Sequence, residues 1–357
     1  MGARVGAYMR LGLLAVALLA SAIPTCALAA GAPVRAHTHI SVSASSKTAK
    51  ISRKLTITGR LISASGRPLA NRKLVFERRW GTSKVWTLLA RGTTNSTGRM
   101  SCKVQPPVTA YYRFRFAGSH AERPASAIQK ILGHHYRIRF QDEFTGSAVN
   151  TAVWTPSLRW GDTSANLLSV FSPDALEVTR GTLVITASTS APADDTAYPY
   201  VSGAISGFGA DQFHFKYGYV ETRAMIPRGM GLWPAVWMLP TESANGCEID
   251  ILEARGQLPC RNLMTVHWGT EQAGRSYEGD DLSTGYHTFA VDWSPTRVIW
   301  YRDGIERFRV DGRDKVPHDF MYLIANMQVG GWAGSPDDST VVPAEFHVDY
   351  IRVYQHN

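Results

Sequence analysis

Cysteine, acidic residues and long apolar runs are all scarce in parts of this sequence, and each scarcity excludes a class of protein. The 357 residues hold four cysteines. One of them, Cys26, lies in the first thirty residues. Cys102, Cys247 and Cys260 remain, an odd number and too few for a disulfide scaffold. Secretion would permit a single bridge. Cys247–Cys260 is disfavoured, because the strand reading below puts the two near opposite ends of a hairpin and a disulfide needs α-carbons within about 7 Å. The strongest apolar run, Leu11 to Ala20, is shorter than the roughly 20 residues that a membrane helix needs. No long stretch repeats its apolar residues with a 3.6 period, which argues against a helical bundle or a βα repeat.

That apolar run follows Arg4 and Arg10 and precedes Ala27-Leu28-Ala29. A charged start, a short apolar core and small residues at a cleavage point make residues 1–30 a signal peptide by pattern. The mature chain is therefore expected outside the cell. The acids are scarce in one region only. Residues 30–135 carry 19 Lys and Arg against two acids, Glu77 and Glu122, whereas residues 136–357 carry 17 Lys and Arg against 27 acids. The whole-chain charge of +9 hides this asymmetry. The shift predicts a boundary near residue 133, with Gly133-His134-His135 as a short linker between one domain at 31–133 and another at 134–357.

Both halves read as strands. In the first, apolar residues alternate at Leu55, Ile57 and Leu61, at Leu74 and Phe76, and at Tyr112, Phe114 and Phe116. Turn residues separate them at Ser65-Gly66-Arg67-Pro68 and Asn95-Ser96-Thr97-Gly98. Short strands at regular spacing predict a small β-sandwich. The stretch from Gly66-Arg67-Pro68-Leu69 through Tyr112-Arg113-Phe114 resembles bacterial immunoglobulin-like accessory domains. In the second half, strands are expected at 183–187, 217–226, 233–239, 248–253, 263–268, 287–293, 297–302, 321–327 and 346–354. About 220 residues of short strands predict an all-β, two-sheet sandwich or jelly roll.

The segment Glu248-Ile249-Asp250-Ile251-Leu252-Glu253 carries the chemistry. On a regular strand Glu248 and Asp250 share one face and Glu253 takes the other. One extra residue near Ile251–Leu252, a β-bulge, would return Glu253 to the face of Glu248. Three acids on one face repel one another, and a passive fold has little reason to hold them so. Retaining glycoside hydrolysis does have a reason: it needs two carboxyl groups about 5–5.5 Å apart, one to attack the anomeric carbon and one to protonate the leaving oxygen. Neighbouring negative charge raises the proton affinity of one of the pair.

EIDILE resembles the E-x-D-x-x-E signature of glycoside hydrolase family 16, in the bulged form of laminarinase-like members. Other family blocks follow in the expected order. They are Phe140-Gln141-Asp142-Glu143-Phe144 with Trp154, Tyr217-Gly218-Tyr219-Val220-Glu221-Thr222-Arg223, the run from Gly231 to Pro240, His267-Trp268, and Val348-Asp349-Tyr350-Ile351-Arg352-Val353-Tyr354. The resemblance covers roughly residues 136–356. It implies a concanavalin-like β-jelly roll with a substrate cleft across one sheet, and a secreted, retaining endo-β-glycosidase acting on β-1,3- or mixed β-1,3-1,4-glucan.

The resemblance also implies roles. Glu248 matches the nucleophile, Glu253 the acid/base and Asp250 the assisting carboxylate. Trp233 and Trp237 match cleft tryptophans, which offer sugars a flat apolar face. His267 would hydrogen-bond Asp250 or the sugar. Glu221 and Arg223 would touch the sugar or form a structural pair. Trp332, in a Gly330-Gly331-Trp332 loop that departs from the family's usual Trp-Pro-Gly form, is expected to line the cleft. Residues 187–200 read as a loop at its edge. Catalysis needs no cofactor, and a structural calcium ion would be held by Glu143, the Gly181 carbonyl and Asp349.

Two rival functions remain: a galactan hydrolase of the agarase or carrageenase type, and a glycan-binding protein on the same scaffold that does not hydrolyse. The acidic charge of the second half favours a neutral glucan over a sulfated one. For the basic N-terminal domain the charge admits an anionic wall or surface polymer, attraction between the two domains, or a solvated spacer, while Trp80 and Trp86 admit stacking on neutral glycan. No nucleic-acid motif accompanies the charge. A monomer is expected.

Overall fold

A computed structural model describes residues 35–49, 54–80, 86–104, 106, 108–134, 136–163, 166–189, 198–209, 211–242 and 246–356. The expected signal segment and most of the expected cleft-edge loop lie outside these residues. Strands β1 (Thr38–Ala44), β2 (Thr48–Ala49), β3 (Leu55–Ser63), β4 (Lys73–Trp80), β5 (Thr87–Thr93), β6 (Arg99–Val104), β7 (Val108–Phe116) and β8 (Ala125–His134) build an N-terminal body. Its three-stranded sheet runs β1-β3-β6 and its five-stranded sheet β2-β8-β7-β4-β5. Period-two patterning produces this: Leu55, Ile57 and Leu61 of β3 are buried, while Thr56, Thr58 and Arg60 are only partly so. Gly59 shares the inward register, and a β-carbon there would lie 2.6 Å from the Phe114 ring. The missing side chain lets the ring of one sheet rest on the backbone of the other. The expected turn at Asn95–Gly98 forms, with Asn95 Oδ1 accepting from the N–H groups of Thr97 and Arg99.

The C-terminal body follows with β9 (Tyr136–Asp142), β10 (Ser169–Phe171), β11 (Leu176–Thr179), β12 (Thr182–Thr189), β13 (Tyr200–Ser202), β14 (Ala204–Ser206), β15 (Gly218–Met225) and β16 (Leu232–Pro240). It continues with β17 (Glu248–Ala254), β18 (Arg261–Trp268), β19 (Glu271–Glu278), β20 (His287–Ser294), β21 (Arg297–Arg302), β22 (Ile305–Asp311), β23 (Met321–Val329) and β24 (Ala344–His356). A ten-stranded sheet orders β10-β13-β12-β24-β15-β20-β21-β22, with β11 and β9 attached to β12 and β24. A six-stranded sheet orders β14-β23-β16-β17-β18-β19. This is the two-sheet jelly roll expected. β19 (EQAGRSYE) has no apolar alternation and is a strand through its edge pairing to β18. β8 runs to His134 and β9 begins at Tyr136, so Gly133 and His134 belong to a strand rather than to a linker.

Each sheet of the jelly roll contributes one face to a shared core. Val236, Ile249, Ile251, Leu252 and Val266 come from the six-stranded sheet, and Val220, Val291, Trp300, Phe346 and Val353 from the ten-stranded one. The opposite face of the ten-stranded sheet does not meet solvent throughout. Its Tyr219, Ala290, Ile299, Tyr301 and Tyr354 join the core of the N-terminal body, packing with residues such as Phe76, Tyr112 and Phe114. The two bodies therefore share a buried apolar seam, which association through surface charge alone would not produce.

Candidate active site

The cleft lies on the outer face of the six-stranded sheet, and its centre is β17. The expected bulge is present. Against β16, Glu253 pairs with Ala235 and Leu252 with Val236, but the next pair is Asp250 with Trp237, so Ile251 is the extra residue. Against β18, the pairing jumps from Asp250–Thr265 to Glu253–Leu263. The apolar residues make the bulge favourable. Ile249, Ile251 and Leu252 are at most 1% exposed, all within the core. Burying two consecutive apolar side chains requires one residue to break the alternation, and the break returns Glu253 to the face of Glu248 and Asp250. From the other sheet, Trp300 Nε1 donates to the backbone carbonyl of Asp250 at 2.6 Å, clamping the strand at the bulge.

The three carboxyl groups respond to one another. Burial pushes Glu248 up to about 7, with the charge of Glu253 adding to the rise and a hydrogen bond from Asp250 opposing it. Burial and then the charges of Glu248 and Glu253 hold Asp250 well above the usual carboxylate range, so it keeps its proton and donates it to Glu248. Glu253 is also raised by burial, against the opposing influence of the Trp233 N–H and Arg255. Trp233 Nε1 donates to Glu253 Oε1 at 3.1 Å. The group thus holds protons at neutral pH that isolated carboxyls would have lost, and the protons come off in coupled steps.

His267 pairs across the ladder with Glu248. Its Nε2 lies 3.7 Å from Glu248 Oε1 and 3.8 Å from Asp250 Oδ2, just beyond hydrogen-bond reach. Burial lowers its proton affinity and favours the neutral ring. Glu248, Asp250 and His267 offer atoms within 4.8 Å of one another, the spacing of a metal site. The Asp250 proton engaged with Glu248 makes that donor set a poor one for a cation.

Around the carboxyls the cleft divides into compartments of about 600, 630 and 210 Å³, all touching Glu248. One runs past Trp160, Tyr322 and Arg159; another past Glu253, Gln272 and Trp332; the smallest lies over Trp233, Trp237 and Asn326. Trp237 donates to Asn326 Oδ1 at 2.7 Å, and Trp160 lies 6.1 Å from Trp237. Trp332 lies 5.6 Å from Trp233, beneath the Arg255 guanidinium at 4.3 Å. The loop that carries it needs its glycines: Gly331 has φ 59°, and a β-carbon there would meet the Trp233 ring at 3.2 Å. The carboxyls therefore stand between two exposed tryptophans, Trp160 (49% exposed) and Trp332 (45% exposed). The sequence reading omits Trp160, Arg159, Tyr322, Asn326 and Trp300, for which no local pattern distinguishes cleft from core.

Glu221 and Arg223 do not reach the cleft. They lie on β15 of the other sheet, where Val220 and Ala224 fill the jelly-roll core and the alternate residues face away from it. Glu221 is 1% exposed and meets the N-terminal body. It accepts from Tyr350 Oη at 2.8 Å, Tyr219 Oη at 2.9 Å and Arg78 Nη2 at 3.3 Å. Arg223 Nη1 donates to Asp349 Oδ2 at 2.5 Å, and its guanidinium stacks on Tyr286 at 4.5 Å. The proposed calcium donors do not fit an ion either. Asp349 is taken by Arg223, and both oxygens of Glu143 accept from Arg352 at 2.6 Å. That leaves only backbone carbonyls such as that of Gly181. Cys247 and Cys260 are unbridged and stand at opposite ends of the β17–β18 hairpin, as the strand reading requires.

Comparison with known proteins agrees with this geometry. Residues 164–352, more than half of the chain, match the model of glycosyl hydrolases family 16, and the chain belongs to that family. It is 34% identical over 256 residues to a glucan endo-1,3-beta-glucosidase A1 of Niallia circulans, covering 60% of this chain and 37% of the relative. It is 31% identical over 239 residues to an endo-1,3-1,4-beta-glycanase of Rhizobium meliloti (strain 1021), covering 60% of this chain and 51% of the relative. Among solved structures it resembles an endo-beta-1,3-glucanase from Pyrococcus furiosus with a TM-score of 0.57 and 32% identity, covering 63% of this chain and 96% of that one. The chain spans from over a third to just over half of the length of the first curated relatives it matches.

Proposed function

We propose that the protein is a secreted, monomeric, retaining endo-β-glycosidase acting on β-1,3- or mixed β-1,3-1,4-glucan. The bulge in β17 carries this reading, because it brings Glu248, Asp250 and Glu253 to one face at the middle of an open, tryptophan-lined cleft. In the first step the ionised Glu248 attacks the anomeric carbon and the glycosidic bond breaks. Glu253 gives its proton to the departing oxygen. In the second step Glu253 takes a proton from water, the water oxygen attacks the same carbon, and Glu248 leaves as a carboxylate. Two inversions give net retention. Asp250 holds its proton against Glu248, which favours the ionised form of the nucleophile before attack.

Cleft compartments on both sides of the carboxyls support cleavage within a chain rather than at its end. The names of the relatives support a glucan substrate. A reducing-sugar assay on laminarin, lichenan and agarose tests the reading directly. Release from laminarin or lichenan with a falling distribution of chain lengths is expected. Release from agarose alone would replace glucan by galactan, and no release from any of the three would leave a glycan-binding protein. Inverted anomeric configuration in the first-formed product would overturn the double displacement.

A further inference from the structure

Two β-bulges, one in each sheet of the jelly roll, are joined across the core by a single side chain. The first is the bulge at Ile251 in β17, between Asp250 and Glu253. The second lies in the ten-stranded sheet. There Trp300 of β21 pairs with Phe308 of β22 but Tyr301 pairs with Glu306, so Arg307 is the extra residue. Trp300 stands at that break. Its ring is stacked on Phe308 at 5.2 Å, it is fully buried, and its Nε1 donates to the Asp250 carbonyl at 2.6 Å. It lines none of the three cleft compartments.

We propose that Trp300 is a positioning residue: by holding the Asp250 carbonyl it fixes the bulge that brings Glu253 level with Glu248, an inference that rests on the hydrolase reading of the cleft. The direction of the hydrogen bond is the first argument. A regular strand keeps its carbonyls in the plane of its own sheet, pointing at neighbouring strands. A donor rooted in the facing sheet reaches a carbonyl where the strand has left that plane, as it does at a bulge. A carbonyl turned into an apolar core needs a donor, and Ile249, Ile251 and Leu252 beside it offer none from their side chains. Position is the second argument. Asp250 is the last residue before the break, so its carbonyl opens the peptide that leads into the extra residue. A shift there moves Glu253 relative to Glu248. The double displacement needs its carboxyl groups about 5–5.5 Å apart, and a displacement of about 1 Å at a reacting group can cost about 100-fold in rate. Opposition is the third. The charge of Glu253 raises the proton affinity of both Glu248 and Asp250, so the acids push one another apart. A restraint from behind the sheet holds them together without occupying the cleft.

The test uses a matched pair of variants in the full chain. Trp300→Phe keeps an apolar ring in the core and removes the donor. Trp293→Phe is the control, since Trp293 is also buried on the ten-stranded sheet and its Nε1 donates to a backbone carbonyl, that of Pro317, at 3.0 Å. On laminarin or lichenan, Trp300→Phe is expected to lower kcat at least about tenfold with KM within about twofold, whereas Trp293→Phe should change kcat by less than about twofold. The carboxyls are also read without turnover, through the indole N–H resonance of Trp233, which donates to Glu253 Oε1 at 3.1 Å. Its titration should move to lower pH in Trp300→Phe, where the acids can part and hydrate, and keep its wild-type midpoint in Trp293→Phe. Phe308→Leu loosens the indole without removing the donor. It should move both readouts the same way by less, and it carries the test if Trp300→Phe does not fold. Equal effects in the two Trp variants would overturn the proposal, as would a wild-type Trp233 titration in Trp300→Phe or, failing that variant, in Phe308→Leu. The titration needs no substrate, so an inactive wild type whose Trp233 signal still responds to Trp300→Phe would count against the hydrolase reading alone.

Discussion

The molecule buries carboxyl groups in two places, and the two are built to opposite rules. At the seam between the bodies, Glu221 receives one arginine and two tyrosine hydroxyls. The two hydroxyls donate hydrogen bonds and Arg78 supplies the positive charge, so the acid is held as part of an ion pair. At the cleft, Glu248 and Asp250 find each other, with Glu253 close enough to raise both. Arg255 acts on Glu253 from a position over Trp332. Satisfied buried charge supports structure, whereas buried acids set against one another hold protons ready to move. Both arrangements are built on glutamates carried by β-strands, so the partners rather than the residue type decide the role.

The sharpest way to break the contrast is to neutralise one acid in each place. Glu248→Gln or Glu253→Gln should lower hydrolysis of laminarin or lichenan by about 10³-fold or more while the melting temperature holds or rises. Azide should rescue Glu253→Ala on a substrate with an activated leaving group, giving a β-glycosyl azide, and Glu248→Ala should give the α-azide. Full activity in either Gln variant would remove the assignment.

At the seam the expected loss is in stability. Arg78→Met strands Glu221 in the interior, a cost of about 3–5 kcal/mol for breaking a buried pair. Adding Glu221→Gln should recover part of it, and kcat of the folded fraction should stay near wild type. A large fall in kcat with no change in unfolding would instead tie the seam to the cleft.

A third expectation concerns pH. Glu248 is raised from 4.5 to about 7 in the fold. The folded state then binds more protons than the unfolded chain between those values, so this group costs stability as pH rises through that window. At about 1.4 kcal/mol per unit the upper bound is roughly 3 kcal/mol, reduced by solvent in the open cleft to about 1–2 kcal/mol. Glu248→Gln should therefore be more stable than wild type at pH 8 and lose that advantage below pH about 4.5. Denaturant midpoints across pH measure it, and a pH-independent difference would contradict the shift.

The smallest effects fall at the cleft ends. Trp160→Ala and Trp332→Ala should each raise KM about three- to tenfold by removing an aromatic face worth about 0.5–1.5 kcal/mol, and should shift the length of the products. Calcium and chelators should leave the melting temperature within about 1 °C, since Glu143 and Asp349 are already held by arginines. A calcium-dependent rise of several degrees would show that the carbonyls alone suffice.

Much of this was legible from residue order. EIDILE has the wrong parity for a regular strand, so a shared face for its three acids requires a bulge, and the family blocks flanking it, rather than the six residues alone, give the reason to expect one. The charge asymmetry and the β-periodicity of both halves are likewise properties of the chain read in order. Sheet membership is not. Trp-containing strands look alike whether they floor a cleft, as with Trp233, or fill a core, as with Trp300, because alternation tells which residues share a face but not what that face meets. Glu221 and Arg223 stand in the same kind of alternating strand as Glu248. Long-range pairing puts their strand beside β20 and β24 and turns them toward the N-terminal body. Only tertiary structure could pair Arg78 with a glutamate 143 positions away, since the energy that selects such a contact exists only once two bodies have closed over it and water is gone.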